Sequence, residues 1–75
     1  MELFFGRHSL AQMEARGISQ AMAREAVENA AREVPESPRK TAYYATVEGR
    51  SIIVVVAYDV DPPFVVTVMN DWSTR

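Results

Sequence analysis

This chain has 75 residues, a formal net charge of −2 and no cysteine, so neither disulfides nor cysteine-bound metal ions can stabilise it. The negative charge argues against strong nonspecific binding of nucleic acid, which depends on clustered Lys and Arg. No apolar run approaches the length of a membrane span, and Met1–Phe5 lacks the basic region of a secretory signal. These features predict a single cytoplasmic domain over residues 1–75, without a membrane segment.

The chain begins with signals for a short strand followed by a short helix. Leu3–Gly6 is predicted to form the strand. Ser9 lies three residues before Gln12, the spacing of a capping box, and predicts a helix that Ser9 caps and that runs to about Ala15. Gly17 is suited to a left-handed conformation and is expected to end this helix.

A second helix is predicted to begin after Ser19, as its N-cap, and to run to about Arg32 or Val34. Pro35 and Pro38 then exclude both a helix and a central strand. One apolar stripe at helical spacing is expected to face the core, and it comprises Ile18, Met22, Ala26, Val27, Ala30 and Val34.

The second half of the chain predicts three antiparallel strands. Ser51–Tyr58 is apolar at almost every position, which is typical of a strand buried on both faces. Its neighbours are predicted at Thr41–Val47 and Phe64–Met69. A two-residue turn before the central strand would pair Ala45 with Ile52, whereas a bulged turn would shift this register by one residue.

The predicted architecture is α+β, with two N-terminal helices packed on a three- to four-stranded antiparallel sheet. Along the central strand, Ile52, Val54 and Val56 point to one face, and the intervening residues point to the other. One helical layer covers only one face. The second face is therefore expected to be covered by a curled sheet, a partner protein or a second copy of the chain.

His8 is the only histidine and a candidate for acid–base chemistry. It lies just ahead of the predicted first helix, and an imidazole can take or give a proton near neutral pH. The alternative is a histidine that packs and forms hydrogen bonds at a helix start.

Four cations and two tyrosines are candidates for binding a phosphate-containing ligand such as RNA. Arginine offers a bidentate fork to phosphate, and an exposed tyrosine ring can stack on a base. Surface charges for solubility, with one core and one surface tyrosine, are the alternative. The acidic residues lack metal-ligand spacing, so no metal and no cofactor are expected. These candidates are Arg16, Arg39, Lys40, Arg50, Tyr43 and Tyr44.

Three segments resemble a small bacterial domain family of uncharacterised function. Arg7-His-Ser-Leu-Ala-Gln-Met-Glu-Ala-Arg-Gly-Ile-Ser19 resembles its opening H-A-x-x-R-M-x-x-R-G-I-S. Gly49-Arg-Ser-Ile-Ile-Val-Val55 and Val65-Val-Thr-Val68 resemble its G-R-x-[LI]-x-V-V and V-V-T-V strands. Gln12 stands where that family usually has Arg, and Ser9 replaces its usual Ala.

That family is similar to the RelE/ParE-type toxins of bacterial toxin–antitoxin systems, and the resemblance implies a metal-independent ribonuclease. It also implies a fold with a short strand, two helices and a three-stranded antiparallel meander. The matched candidate catalytic residues are His8, Arg16, Arg50 and Thr67. The resemblance further implies an antitoxin that covers the apolar sheet face. The alternative is a non-catalytic interaction module, which forms a homodimer through that face.

Overall fold

The computed structural model describes residues 2–72, and the fold class is α+β. Within these residues lie two helices, α1 (Arg7–Arg16) and α2 (Gln20–Glu28). Met1 and residues 73–75 lie outside this description. No helix in residues 2–72 is long and apolar enough to cross a membrane.

The described residues form a five-stranded mixed sheet rather than the predicted three- to four-stranded antiparallel one. The spatial order is β1-β5-β4-β3-β2. β1 pairs with β5 in parallel, and the other neighbours are antiparallel. The fold class was therefore predicted correctly, whereas the number of strands and the direction of the first strand were not. The strands are β1 (Phe4–Phe5), β2 (Arg32–Ser37), β3 (Lys40–Val47), β4 (Arg50–Ala57) and β5 (Phe64–Asn70).

α1 begins at Arg7, so the prediction that Ser9 caps this helix is wrong. Gly6 is the N-cap, and buried Ser9 lies inside the first turn, where its hydroxyl donates to the Gly6 carbonyl at 3.1 Å. A Cβ on residue 6 would lie 2.7 Å from Cζ of Phe64. Glycine thus lets the chain pass close to β5 as it enters the helix.

The joint between the helices follows the prediction. Gly17 ends α1 with a φ of 69°, and the Ser19 hydroxyl accepts a hydrogen bond from Met22 N at 3.1 Å as the N-cap of α2. These two residues fix the reversal of the chain between α1 and α2.

α2 ends at Glu28, so its predicted extension to Arg32 or Val34 is wrong. The chain turns at Asn29 and continues as β2, which the sequence did not predict. Ala31 N donates to the Tyr44 carbonyl at 2.9 Å. From this residue on, the main chain forms hydrogen bonds with β3 and not the hydrogen bonds of a helix. Pro35 is tolerated because β2 is an edge strand.

The β3–β4 hairpin has the two-residue turn and not the bulged one. Glu48 and Gly49 both have positive φ, 52° and 79°, as a type I′ turn requires. Ala45 pairs with Ile52, which confirms the register expected for the two-residue loop.

The core lies between the helices and one face of the sheet. Ile52, Val54 and Val56 are fully buried there, as the alternation along β4 predicted. A bulge places Val65 opposite Val56 and Thr67 opposite Val55. The extra residue keeps both Val65 and Val68 on the core side. The helices contribute Met13, Met22, Ala23, Ala26 and Val27 to the same cluster, and the joint between them contributes Ile18.

The opposite side of the sheet, which we call the outer face, carries the alternate set of paired residues. Across its middle, Ala42 pairs with Val55 and Val55 pairs with Thr67. Both helices pack into the core on the other side, and residues 2–72 contain no further helix. Within residues 2–72 no second layer of helices or strands therefore covers this face.

Candidate functional site

α1 lies against the edge of β5 at the point where β1 ends. β1 pairs only with Phe64 and Val65, so the edge of β5 beyond them lacks a partner strand within the described residues. The Gln12 side-chain oxygen accepts a hydrogen bond from Val68 N at 3.1 Å. The Val68 N–H lies at the sheet edge, where the carbonyl of a further strand would normally accept its hydrogen bond. Here the side chain of Gln12 on α1 is the acceptor instead.

The same Gln12 oxygen also accepts a hydrogen bond from the Thr67 hydroxyl, at 2.7 Å. Because Val68 N can only donate, the Gln12 atom that it contacts must be the oxygen and not the nitrogen. The Gln12 amide group therefore turns its NH₂ away from β5. Gln12 as a residue is half-buried, and within residues 2–72 its NH₂ makes no hydrogen bond to another residue, so it remains a donor.

Arg50 joins the end of α1 to the end of β5. Its Nη1 donates to the Gly17 carbonyl at 2.7 Å, and its Nη2 donates to the Arg16 carbonyl at 2.5 Å and to Asn70 Oδ1 at 3.1 Å. A cation is favourable at this place because the C-terminal carbonyls of a helix carry partial negative charge. The Arg50 guanidinium is thus committed to contacts within the protein.

The side chain of Arg16 is less committed than that of Arg50. It is half-buried, and its Nη1 makes one long hydrogen bond of 3.4 Å to the Gln12 carbonyl. Its remaining N–H groups have no acceptor among the described residues, so they are available to an anionic ligand.

His8 is exposed on the first turn of α1. His8, Gln12 and Arg16 follow one another at intervals of four residues and share one side of the helix. Each step advances about 6 Å along the helix axis, so the three span about 12 Å. We call these three residues the α1 row. Of the four matched positions, His8 and Arg16 belong to the α1 row, Thr67 donates to Gln12 of that row, and Arg50 bonds the main chain at the end of α1.

The predicted substrate-binding residues lie elsewhere. Arg39 and Lys40 are exposed at the turn between β2 and β3, two strands away from β5 in the sheet. The Tyr43 and Tyr44 rings do point to opposite faces, as expected. Tyr43 is only 7% exposed, which leaves its ring no room to stack on a base. Tyr44 lies on the outer face, with Arg32 Cζ 4.2 Å from its ring centroid.

Burial raises the pKa of the Tyr43 hydroxyl well above its usual range, and a short hydrogen bond to the Tyr58 hydroxyl acts in the same direction. This pair joins β3 to the residue that follows β4. Tyr43 is therefore a structural residue of the core and not a proton donor for the α1 row.

Two surface pockets lie away from the α1 row. One, of about 410 Å³, is lined by Ser37, Pro38, Arg39, Lys40, Ala57 and Asp59. The other, of about 200 Å³, is lined by Ala31, Arg32, Tyr44, Ala45, Thr46, Ser51 and Asp71. In residues 2–72 no group of three or more His, Cys, Asp or Glu side chains is placed to hold a metal ion.

Sequence reasoning missed the structural roles of Gln12 and Asn70. Gln12 was noticed only as a departure from the motif of a similar family, and nothing in the local sequence shows that it bonds a strand 55 residues away. The Asn70 side-chain oxygen accepts a hydrogen bond from Arg50, which lies 20 residues away in the sequence, and again only the tertiary fold brings the two together.

Comparison with known families gives one match. A family model described as "Domain of unknown function (DUF4258)" matches residues 5–70, which include the α1 row, Arg50 and Thr67. No curated protein matches the chain, and no solved structure matches it.

Proposed function

Since the chain belongs to the DUF4258 family of domains of unknown function, we propose a function from its geometry: a RelE/ParE-like, toxin-related protein that binds RNA along the α1 row and cleaves it without a metal ion. The observation that carries this proposal is the alignment of His8, Gln12 and Arg16 on one side of α1. An acid–base group, a neutral donor and a cation follow one another along this side of the helix.

The chemistry of RNA cleavage matches these three groups. His8 takes the proton of a ribose 2′-hydroxyl, whose oxygen then attacks the adjacent phosphorus. The bond from phosphorus to the 5′-oxygen breaks, and that oxygen leaves with a proton from water. Arg16 stabilises the negative charge that develops on the phosphate, and the Gln12 amide donates to a neighbouring phosphate oxygen.

Arg50 and Thr67, which the resemblance placed among the catalytic residues, act here as positioning residues. Arg50 holds the main-chain carbonyl of Arg16, and Thr67 holds the Gln12 side-chain oxygen. Both therefore fix the α1 row against the sheet while their own donors face protein atoms.

The test is expression of the wild-type protein in bacteria beside His8→Ala and Arg16→Ala, with growth and total RNA followed over time. Arg24→Ala is the matched control, because Arg24 is also a helical arginine but lies on α2, over the Phe5 ring. We expect growth arrest and RNA loss with the wild type and with Arg24→Ala, and neither with the other two variants.

The same comparison is repeated with purified protein and RNA in the presence of EDTA. Cleavage that persists in the chelator supports a metal-independent reaction. Cleavage that persists in folded His8→Ala contradicts the role given to His8, and cleavage that stops in EDTA contradicts the proposed reaction.

A second candidate is a non-catalytic interaction module. It is favoured by the internal bonds of Arg50 and Thr67, which leave Arg16, at one end of the α1 row, as the cation available to a ligand. Healthy growth and intact RNA at good expression of soluble, folded wild type would support the module and contradict the ribonuclease.

A further inference from the structure

Two hydrogen-bond donors on β5 converge on a single point beside α1. The Thr67 hydroxyl donates to the Gln12 side-chain oxygen at 2.7 Å, and Val68 N donates to the same oxygen at 3.1 Å. We call this hydroxyl and this amide the β5 donor pair. Donors at about 2.7–3.1 Å from one point form the geometry in which an oxyanion hole holds a charged oxygen. The Gln12 oxygen therefore occupies a position that suits the oxygen of an anion.

The sheet holds the β5 donor pair in place independently of Gln12. The Val68 side chain is fully buried in the core, and Thr67 and Val68 pair with Val55 and Val54 of β4. The bulge in β5 comes directly before Thr67. Bulges of this kind change the direction in which the following side chains point and are common beside functional sites. The two donors therefore keep their positions when the Gln12 side chain moves away.

The Gln12 side chain is an occupant that an anion can replace. Its oxygen belongs to a neutral amide, whereas hydrogen bonds to a charged oxygen are about twice as strong as those between neutral groups. Gln12 is only half-buried, and its side chain can rotate toward solvent without any change in the helical main chain. A phosphate oxygen can therefore compete with the Gln12 oxygen for the same two donors.

The charges around Gln12 favour an anion. The Arg16 side chain bonds the Gln12 main-chain carbonyl at 3.4 Å, which places its guanidinium beside residue 12. Glu14 is the acidic residue of α1, and it lies two positions from Gln12, so the two side chains point to different sides of the helix. Asp71, just beyond β5, lines the pocket that contains Tyr44 and not the α1 row. A cation is thus the nearest charge to the β5 donor pair along α1.

We propose that the β5 donor pair binds one oxygen of a phosphate group, and that the Gln12 side chain closes this site until the phosphate displaces it. The inference rests on the proposed function in one respect, since its ligand is the RNA phosphate that Arg16 contacts. It adds the Val68 amide to the site and gives Gln12 a second role. Thr67 positions Gln12 in the closed conformation and binds the phosphate in the open one, where the released Gln12 NH₂ donates to another oxygen of the same group.

The test is titration of the protein with inorganic phosphate, followed by two-dimensional ¹H–¹⁵N NMR, with sodium chloride of equal ionic strength as the control. In the wild type we expect the Val68 main-chain amide signal and the Gln12 side-chain NH₂ signals to shift together. Gln12→Ala removes the occupant, and circular dichroism first establishes that this variant is folded. We expect it to bind phosphate about five- to fiftyfold more tightly than the wild type, because two internal hydrogen bonds no longer compete.

Three further variants separate the donor pair from other effects. Thr67→Val in the Gln12→Ala background removes the hydroxyl and keeps the branched side chain, and we expect it to abolish most of the gain in affinity. Gln12→Glu keeps the acceptor and adds a negative charge, so it is expected to bind phosphate more weakly than the wild type. Arg24→Ala removes a cation from α2 and is expected to leave phosphate binding unchanged.

Three results would overturn the proposal. One is a folded Gln12→Ala that binds phosphate no more tightly than the wild type, and another is a gain in affinity that survives Thr67→Val. The third is a wild-type titration that shifts the Arg39 and Lys40 amides and leaves Val68 unchanged, which would assign binding to surface cations. This third measurement decides the question even if Gln12→Ala does not fold.

Failure of this proposal is distinguishable from failure of the ribonuclease proposal, because phosphate binding is measured without cleavage. Phosphate bound at Val68 by a wild type that cleaves no RNA contradicts the ribonuclease and supports the donor pair. RNA cleavage that His8→Ala abolishes, in a protein whose Val68 amide does not respond to phosphate, contradicts the donor pair alone.

Discussion

The Gln12 side-chain oxygen on α1 accepts a hydrogen bond of 2.7 Å from the Thr67 hydroxyl on β5, and the same oxygen accepts another from Val68 N. One acceptor thus satisfies an amide at the sheet edge and at the same time turns the Gln12 NH₂ away from β5. Removal of the acceptor leaves a half-buried main-chain N–H without a partner. Gln12→Leu is therefore expected to lower the free energy of unfolding by about 1–3 kcal/mol in urea denaturation.

Gln12→Glu is the matched variant for this position, since it keeps the acceptor and loses only the donor. We expect its stability to remain within about 0.5 kcal/mol of wild type, while its RNA affinity falls because a carboxylate repels phosphate. Equal destabilisation by both substitutions would contradict the acceptor role. Unchanged RNA affinity in Gln12→Glu would remove Gln12 from the proposed binding groove.

Substitution of Arg50 is expected to lower the stability of the fold, because its guanidinium bonds only protein atoms. Arg50→Lys keeps the charge but cannot reproduce a fork that reaches two main-chain carbonyls and Asn70. We expect a loss of about 1–2 kcal/mol, seen as a fall of several degrees in the melting temperature. Arg39→Lys, at an exposed arginine without such contacts, is the control and is expected to leave the melting temperature unchanged.

The position of the β3–β4 hairpin was predictable because the signals were local. A long apolar strand and a turn signal at Glu48-Gly49 locate the hairpin within a dozen residues. The sequence left the two-residue and the bulged turn open, and the structure shows the pairing of Ala45 with Ile52 that the two-residue turn gives. The missed strand β2 had no such signal. Its residues are mostly exposed, it contains Pro35, and the preceding Ala30 and Ala31 favour helix. Pairing with β3 overrode that preference.

The candidate site was predictable in its residue types and not in its bonding. The predicted helix began after His8 and ended before Arg16, so the alignment of the two along α1 became visible only in the structure. The partners of Arg50 lie up to 34 residues away, and whether its guanidinium faces a ligand or a main-chain carbonyl is decided by how α1 meets β5. The resemblance named Arg50 as a candidate catalytic residue, and only the structure shows that its guanidinium bonds Arg16, Gly17 and Asn70.

The turn between β3 and β4 offers a stabilising substitution. Glu48 has a φ of 52°, which a residue with an unbranched, extended side chain adopts only with strain. Glu48→Asn supplies the Asn-Gly pair that type I′ turns prefer, so we expect a gain of about 0.5–1 kcal/mol. Gly49→Ala is the opposing control, and we expect it to lower the free energy of unfolding by about 1 kcal/mol. An added Cβ would meet no atom within 4 Å, so this loss would arise from the φ of 79° alone. A loss in Glu48→Asn would contradict the turn assignment.

The buried Tyr43 hydroxyl predicts how stability depends on alkaline pH. Burial and the hydrogen bond to Tyr58 raise the pKa of Tyr43 in the folded state above its value in the unfolded chain, which is about 10. Below that unfolded value the hydroxyl is protonated in both states, and its contribution to stability is complete. As the pH rises above it, only the unfolded state loses the proton, so the unfolded state is favoured.

We therefore expect the free energy of unfolding to fall by up to about 1 kcal/mol per pH unit between pH 10 and 12. Tyr43→Phe has no such proton, so its stability should be lower at pH 8, through loss of the bond to Tyr58, but should decline less steeply at high pH. Urea denaturation of both proteins at pH 8, 10 and 11.5 measures the two slopes. Because Tyr58 is 38% exposed, Tyr58→Phe should keep most of the alkaline decline, since burial of Tyr43 is the larger cause of its raised pKa. Equal slopes in the wild type and Tyr43→Phe would show that another group controls alkaline unfolding.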